Sequence, residues 1–159
     1  MNISFNLNGT ATDLEVAPGE TLLQALRAAK VFSPKLGCET GDCGSCTVLL
    51  DGQPVNSCMV VAARADGHRV TTMEGLLGDD LMVRLQTELV EHGAVQCGYC
   101  IPGLLISLYA LMKQGLPAGE DIDEKTIRHA LTGNLCRCTG YVKPVEAARA
   151  VAAAMEVPK

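Results

Sequence analysis

The cysteines constrain this chain more than any other feature, because all 8 of them fall into two groups of four. The first group lies upstream and contains Cys38, Cys43, Cys46 and Cys58. The second group contains two close pairs, Cys97 with Cys100 and Cys136 with Cys138. In a chain without a secretion signal, grouped thiols indicate metal or redox chemistry more often than a disulfide framework. The sequence therefore predicts a fold that holds two sets of four thiols.

Composition and charge argue against several classes of partner. The hydrophobic fraction of 48% is ordinary for a globular protein, whereas a formal charge of -5 and the lack of tryptophan disfavour nucleic-acid binding. Residues 1–8 have neither the basic region nor the apolar run of a signal peptide. The longest apolar run, residues 104–112, is far short of the roughly 20 residues that span a bilayer. We therefore expect a cytoplasmic protein with no nucleic-acid partner and no membrane insertion.

The first half of the chain predicts a small α+β domain. Apolar residues alternate with polar ones over residues 3–7, and Asn8-Gly9 is a strong hairpin signal. A capping box at Thr21–Gln24 predicts a helix that runs to about Lys30. Three further strands are predicted, at residues 47–50, 55–61 and 69–72. Pro54 indicates an edge position for the middle one, and together these elements predict a sheet with a helix across one face.

Beyond a change in composition near residues 74–78, the sequence predicts helices only. Their expected spans are Leu81 to just before Gly93, Pro102 to about Gln114, Asp123 to Leu131, and Val145 to about Glu156. The second helix is apolar nearly all round and is therefore expected to be buried. Four helices with short connections predict a bundle. We therefore divide the chain into residues 1–75 and 76–159, with one cysteine group in each part.

The upstream cysteines have the spacing of a plant-type [2Fe-2S] site. Four residues separate Cys38 from Cys43, two separate Cys43 from Cys46, and Cys58 follows further along. A loop around an anionic cluster must point backbone N–H groups at sulfur, and three nearby glycines permit the tight turns that this needs. These are Gly37, Gly41 and Gly44. We therefore predict a cluster here, in preference to three loop cysteines and an unrelated buried Cys58.

The downstream cysteines are less specific on their own. Each pair precedes the N-terminus of a predicted helix, where free N–H groups favour negative charge, and this suits an iron–sulfur cluster or a structural zinc site. A redox dithiol at Cys97 and Cys100 would need a βαβ context, which the sequence does not show. A Rieske centre needs two histidine ligands, and His68, His92 and His129 do not lie beside cysteines. The spacing of these cysteines favours an iron–sulfur cluster but does not exclude a structural zinc site.

Three segments that contain seven of the eight cysteines resemble the signatures of a known family. They are residues 37–48, residues 96–100 with the sequence Gln96-Cys97-Gly98-Tyr99-Cys100, and residues 135–141 with the sequence Leu135-Cys136-Arg137-Cys138-Thr139-Gly140-Tyr141. The chain resembles the iron–sulfur small subunit of the xanthine oxidase family of molybdenum hydroxylases over nearly its whole length. One departure is Ile101, where relatives often carry threonine, and it touches no expected ligand.

The resemblance implies an α+β fold with an N-terminal β-grasp, plant-type ferredoxin-like domain and a C-terminal four-helix bundle. It also implies two [2Fe-2S] clusters. The outer one would be held by Cys38, Cys43, Cys46 and Cys58, and the inner one, nearer molybdenum, by Cys97, Cys100, Cys136 and Cys138. Gln96 would hydrogen bond to the pterin cofactor of a large partner subunit, and Cys138 would be the ligand closest to that pterin. No catalytic residue is expected in this chain.

The function implied by the resemblance is electron transfer within a hydroxylase complex. Electrons would pass one at a time from molybdopterin, as the cytosine dinucleotide in the large subunit, through both clusters to an outer acceptor. That acceptor would be a flavin subunit or a cytochrome, and the substrate an aldehyde or an N-heterocycle. Two alternatives are a free-standing two-cluster ferredoxin, against which the bundle and Gln96 argue, and a zinc-stapled interaction module, which would be colourless.

Overall fold

The computed structural model describes residues 1–115 and 122–155, and within them the chain forms a five-stranded mixed sheet and five α-helices. The strands are β1 (Asn2–Leu7), β2 (Thr10–Glu15), β3 (Thr47–Leu50), β4 (Gln53–Asn56) and β5 (Arg69–Thr71). The helices are α1 (Leu22–Ala28), α2 (Asp80–Glu91), α3 (Ile101–Gln114), α4 (Glu124–Ala130) and α5 (Val142–Met155). Short 3-10 turns occupy Ser57–Met59, Ala62–Ala65 and Met73–Leu76.

The sheet has the strand order β2-β1-β5-β3-β4, with β1 and β5 parallel and the other neighbours antiparallel. The β1–β2 hairpin turns at Asn8 and Gly9, whose φ angles of 53° and 87° suit the two-residue turn that matches strand twist. Helix α1 packs its buried Leu22 and Leu26 against the sheet. The predicted α+β fold, with a ferredoxin-like domain before a helical one, is confirmed.

Helix α1 begins at the predicted capping box. The Thr21 hydroxyl accepts a hydrogen bond from the Gln24 N–H at 3.2 Å, and the Gln24 side chain accepts one from the Thr21 N–H at 2.9 Å. The helix ends at Ala28, two residues before the predicted end, because Lys30 adopts a left-handed φ of 63°. The chain therefore leaves the helix well before Pro34.

The predicted strand at residues 55–61 is wrong beyond Asn56. Residues Ser57–Met59 form a 3-10 turn, in which the Ser57 hydroxyl donates to the carbonyl oxygen of Cys46 at 2.7 Å. This contact draws the chain out of the sheet, and the following Val60 carbonyl accepts from the Leu22 N–H at 2.7 Å instead of pairing with β3. Strand β4 is an edge strand, as Pro54 predicted.

The four helices predicted for the second half are present, with shifted ends. Helix α2 is capped by Asp79, whose carboxylate accepts from the Leu81 and Met82 N–H groups. Helix α3 is buried along residues 103–110, as its apolar sequence predicted. Helix α5 begins at Val142, so that Pro144 lies in its first turn, where proline is tolerated. The predicted end of this helix near Glu156 lies outside the described residues.

The sheet and the helices share one region of packing. Val48 of β3 belongs to the core beneath α1, whereas its neighbour Leu49 belongs to the core of the helical half. Successive strand residues point to opposite faces, so β3 is covered on both sides. This double contact holds the loop that leads into β3, residues 35–46, against the helices. None of the helices in the described ranges has the length and apolar character needed to cross a bilayer.

Candidate metal centres

The upstream thiols lie around a loop that closes on itself before β3. The Lys35 N–H donates to the carbonyl oxygen of Ser45 at 2.9 Å, and this joins the two ends of the loop. Within it, Glu39, Gly41 and Gly44 have φ angles of 57°, 84° and 64°. These left-handed residues turn the backbone N–H groups inward, as an anionic ligand group requires.

The environment of Cys38 favours its thiolate. Its sulfur accepts hydrogen bonds from the backbone N–H groups of Thr40 and Cys43, each at 3.4 Å. Hydrogen bonds from Thr40, followed by that from Cys43, lower the pKa of the Cys38 thiol to about 6. The thiolate is the form of cysteine that binds metals.

Cys46 and Cys58, unlike Cys38, lie in a buried environment, and it favours the protonated form of the Cys58 thiol. They are buried together against Leu23, with 3% and 7% of their surfaces exposed. Burial, and then the neighbouring Cys46 thiol, raise the pKa of Cys58 to about 11. Near neutral pH such a thiol keeps its proton until a metal cation displaces it, so this pair suits a bound metal.

The downstream cysteines come together from two distant segments. Cys97 and Cys100 lie in the turn before α3, and Cys136 and Cys138 in the loop before α5. Burial, and then Cys136, raise the pKa of Cys100 to about 12, whereas a hydrogen bond with Cys97 raises the pKa of Cys138. Each member of one pair therefore lies near a member of the other.

Tyr141 holds the loop of Cys136 and Cys138 in shape. Its hydroxyl donates to the carbonyl oxygen of Asn134 at 2.9 Å and accepts from the Cys136 N–H at 2.8 Å. The Cys136 sulfur lies 3.1 Å from the Thr139 hydroxyl. Burial acts to raise the pKa of Cys136, but the hydrogen bonds of Thr139 outweigh it and leave the pKa lowered. Tyr141 and Thr139 were not singled out from the sequence, although both lie in the third signature segment.

Four pairs of neighbouring thiols lie close enough for one member to influence the pKa of the other. These are Cys38 with Cys43, Cys46 with Cys58, Cys97 with Cys138, and Cys100 with Cys136. Among residues 1–115 and 122–155, no three His, Cys, Asp or Glu side chains converge on a single metal-ion position. In a [2Fe-2S] cluster each iron takes two cysteines, whereas a structural zinc ion takes four ligands at one point. Each set of four thiols has the number of donors that a two-iron cluster takes.

The two thiol sets differ in their access to solvent. Cys46 and Cys58 are buried, whereas Cys97 and Cys138 are exposed, as is Gln96 beside them. Gln96 and Cys138, the two residues expected near a pterin, thus lie on the surface. Two of the three histidines have other partners: His68 is paired with Asp51, and His92 with Glu88.

Comparison with known proteins places the chain in a family. Two family models match it: a 2Fe-2S iron-sulfur cluster binding domain over residues 5–72 and a [2Fe-2S] binding domain over residues 72–149. It is 42% identical to the nicotinate dehydrogenase small FeS subunit of Eubacterium barkeri, across 90% of this chain and 89% of the relative. It is 40% identical to the xanthine dehydrogenase iron-sulfur-binding subunit of Escherichia coli O157:H7, across 89% of this chain and 87% of the relative.

Two solved structures have the same fold. A chain of quinoline 2-oxidoreductase from Pseudomonas putida 86 superposes with a TM-score of 0.87 and 38% identity, across 97% of this chain and 94% of that one. The aldehyde oxidoreductase of Desulfovibrio gigas superposes with a TM-score of 0.85 and 34% identity, and this chain covers 17% of that longer one. The two matched domains bind [2Fe-2S] clusters. The chain therefore belongs to the iron–sulfur small subunits of the xanthine oxidase family of molybdenum hydroxylases.

Proposed function

We propose that this chain carries electrons one at a time from a molybdopterin centre in a large partner subunit to an acceptor outside the complex. The observation that carries the proposal is the meeting of the Cys97 and Cys100 thiols with those of Cys136 and Cys138, beside a second set of four. When bound, the [2Fe-2S] clusters supply one-electron acceptance and release. The chain supplies ligands, hydrogen bonds and burial.

We assign the outer cluster to Cys38, Cys43, Cys46 and Cys58, and the inner cluster to Cys97, Cys100, Cys136 and Cys138. The hydrogen bonds from Thr40 and Cys43 to the Cys38 sulfur would stabilise negative charge at the outer cluster. Leu23 would keep water from the Cys46 and Cys58 sulfurs, against which it packs. We place the boundary between the two domains at residue 75, close to residue 72, where the two family models meet.

The surface around the inner set is the proposed contact with the large subunit. Gln96 and Cys138 are exposed there, so the Gln96 amide is free to hydrogen bond to a pterin and Cys138 is positioned as the ligand nearest to it. Exposed apolar side chains lie next to these residues in the sequence: Val95 is 42% exposed, Tyr99 47% and Leu135 55%. Apolar side chains gathered at one surface are typical of a face that another protein covers.

The rest of the complex is proposed from the relatives. They are named for nicotinate, xanthine, caffeine and aldehydes, so we propose an N-heterocycle or an aldehyde as substrate, bound by the large subunit. We further propose molybdopterin cytosine dinucleotide as its cofactor and a flavin subunit or a cytochrome as the acceptor. A cytoplasmic location accords with eight cysteines kept as free thiols for metal binding.

Purification of the native complex, followed by metal and sulfide analysis, tests this proposal. We expect molybdenum, a large co-purifying chain, and iron and acid-labile sulfide in equal amounts, enough for two [2Fe-2S] clusters per small chain. Iron and sulfide without molybdenum or a large partner would favour the free-standing ferredoxin. Zinc in place of iron would favour the interaction module, and either result would overturn the proposed role.

A further inference from the structure

One backbone hydrogen bond joins the two thiol sets directly. The Leu135 N–H, next to Cys136, donates to the carbonyl oxygen of Cys43 at 2.8 Å. A second link runs from the Tyr99 hydroxyl to the Leu36 carbonyl at 2.6 Å, but it passes through a whole tyrosine side chain and two more residues before it reaches Cys38. The Cys43–Leu135 link is therefore the shorter bonded route between a cysteine of each set.

The buried side chain of Asn134 ties the outer loop to the helical half at this link. It is only 3% exposed. Its amide nitrogen donates to the carbonyl oxygen of Gly44 at 3.1 Å and lies 3.3 Å from the Thr47 hydroxyl. Its amide oxygen accepts from the Ser107 hydroxyl of α3 at 2.7 Å. One amide thus fixes the outer loop, the start of β3 and α3 relative to each other.

Two glycines let the backbones approach closely at the same place. A Cβ atom on Gly103, in the first turn of α3, would lie 2.3 Å from the carbonyl oxygen of Gly44. A Cβ atom on Gly44 would lie 2.1 Å from the carbonyl oxygen of Gly133. Both distances are far below van der Waals contact, so any side chain at either position would push the outer loop away from the helices.

We propose that Asn134 and Gly103 are positioning residues that set the separation between the two clusters. They hold the outer loop against α3, so that the Leu135 N–H reaches the Cys43 carbonyl. This inference rests on the proposed function, because it requires a cluster in each thiol set. Electron tunnelling and the magnetic interaction between two paramagnetic centres both weaken steeply as the gap between the centres widens.

The first test is Gly103→Ala, with Gly78→Ala as the matched control. Alanine is more favourable than glycine within a helix, so the substitution should not weaken α3. Its effect should come from a wider separation between α3 and the outer loop. A Cβ atom on Gly78 would meet nothing within 4 Å and its φ is not left-handed, so the control adds the same methyl group harmlessly. In the native complex, Gly103→Ala should retain both clusters but lose part of the EPR splitting between them and slow electron transfer from the inner to the outer cluster.

The second test is Asn134→Asp, with Ser107→Ala as its control. Aspartate keeps an acceptor for the Ser107 hydroxyl but turns a carboxylate oxygen, with no proton to donate, towards the Gly44 carbonyl. Ser107→Ala removes the other hydrogen bond and leaves the one to Gly44 in place. Asn134→Asp adds no volume, so it also serves if Gly103→Ala loses iron. We expect it to reduce the splitting and the transfer rate more than its control does.

The outcomes separate this inference from the function on which it rests. A native complex without two EPR-active clusters would contradict the proposed function itself. Two clusters whose splitting and transfer rate are unchanged in Asn134→Asp, and in Gly103→Ala where that variant holds both clusters, would leave the function standing and overturn the positioning role. A loss of splitting in these two variants that is absent from Gly78→Ala and smaller in Ser107→Ala is the result that we expect.

Discussion

Glu74 connects three parts of the N-terminal half through one carboxylate. It accepts hydrogen bonds from the backbone N–H groups of Phe32 and Ser33 at 3.1 and 2.8 Å, and from the Thr72 hydroxyl at 2.5 Å. The Ser33 hydroxyl is a further donor to it. Burial raises the pKa of Glu74, but the hydrogen bonds from Ser33 and Thr72 outweigh it and leave the pKa below its ordinary value.

The lowered pKa of Glu74 gives a pH-dependent contribution to stability. It is present above the pKa of the unfolded carboxyl, about 4.3, and is lost as the pH falls through the lower pKa of the folded state. Glu74→Gln should cost about 1 kcal/mol at neutral pH, since solvent partly screens the site, and less under acid conditions. Chemical denaturation at several pH values measures this, with the exposed Glu91→Gln on α2 as control. A cost that does not depend on pH would contradict it.

Gly37 lies where the outer site has no room for a side chain. A Cβ atom there would lie 2.7 Å from the Cys43 sulfur. Gly37→Ala should therefore displace that sulfur and lower the iron content towards that of a single cluster, with the inner cluster retained. Iron analysis together with the EPR signals checks this. Gly78→Ala is again the control, because the added methyl group meets nothing within 4 Å. Full iron content in Gly37→Ala would show that the loop absorbs the methyl group without loss of the site.

At the scale of elements, Asp79 joins α2 to α3. Its carboxylate caps α2, accepts from the Tyr109 hydroxyl at 3.0 Å and lies 3.3 Å from the Lys113 ammonium. Within residues 1–115 and 122–155, the Asp123 carboxylate accepts a hydrogen bond only from the Thr126 N–H, which caps α4, so Asp123→Ala measures the loss of a cap. Loss of a cap costs about 1 kcal/mol.

Asp79→Ala should therefore lower stability by about 1–3 kcal/mol, which combines the cap with one charged hydrogen bond to Tyr109. Asp123→Ala should cost about 1 kcal/mol or less, because only the cap is lost. Denaturant unfolding of the two variants measures the difference. Equal costs would mean that the bonds from Asp79 to α3 contribute nothing to stability.

Elements whose signals are local could be predicted from the sequence. The hairpin at Asn8-Gly9, the capping box at Thr21 and the apolar α3 depend on neighbouring residues, and the structure contains all three. The expected strand beyond Asn56 failed because its outcome depends on a distant group. The Ser57 hydroxyl donates a hydrogen bond to the Cys46 carbonyl oxygen, and the spacing of apolar residues along the sequence does not predict such a contact.

The candidate site likewise has features with local sequence signals and features that depend on long-range contacts. The spacing of Cys38, Cys43 and Cys46 within one loop was sufficient to predict a cluster. The joining of the Cys97 pair with the Cys136 pair is a long-range contact. The grouping of the thiols indicated it, but their spacing left a zinc site open, and the family resemblance implied the cluster. The roles of Asn134 and Gly103 were not predicted, because each follows from a contact with Gly44, far away in the sequence.

At the scale of the whole molecule, the inner thiol set is the more exposed of the two. Cys97, Cys138 and Gln96 lie on the surface, whereas Cys46 and Cys58 lie beneath Leu23. The two sites are parts of one packed body, because Leu49 belongs to the core of the helices and Asn134 bonds to the outer loop. Electrons from a partner at the inner face would therefore cross a fixed gap.

Gln96→Ala tests the inner face as the contact with the pterin. The side chain is exposed in the chain alone, so its removal should leave both clusters and the fold intact. In the complex, reduction of the clusters by substrate should be slower, because the proposed hydrogen bond to the pterin is lost. Stopped-flow measurement of cluster reduction checks this, with reduction by dithionite as control. An unchanged rate with substrate would remove the role given to Gln96.

The central claim is that eight cysteines hold two separate [2Fe-2S] clusters, and one experiment addresses it directly. Low-temperature EPR of the reduced complex would be recorded for the unaltered protein, for Cys138→Ser and for Cys58→Ser. Two distinguishable signals are expected, with Cys138→Ser changing the g values of one and Cys58→Ser those of the other. A single signal in the unaltered protein, or one substitution that abolishes both signals while the fold persists, would contradict the assignment of two sites.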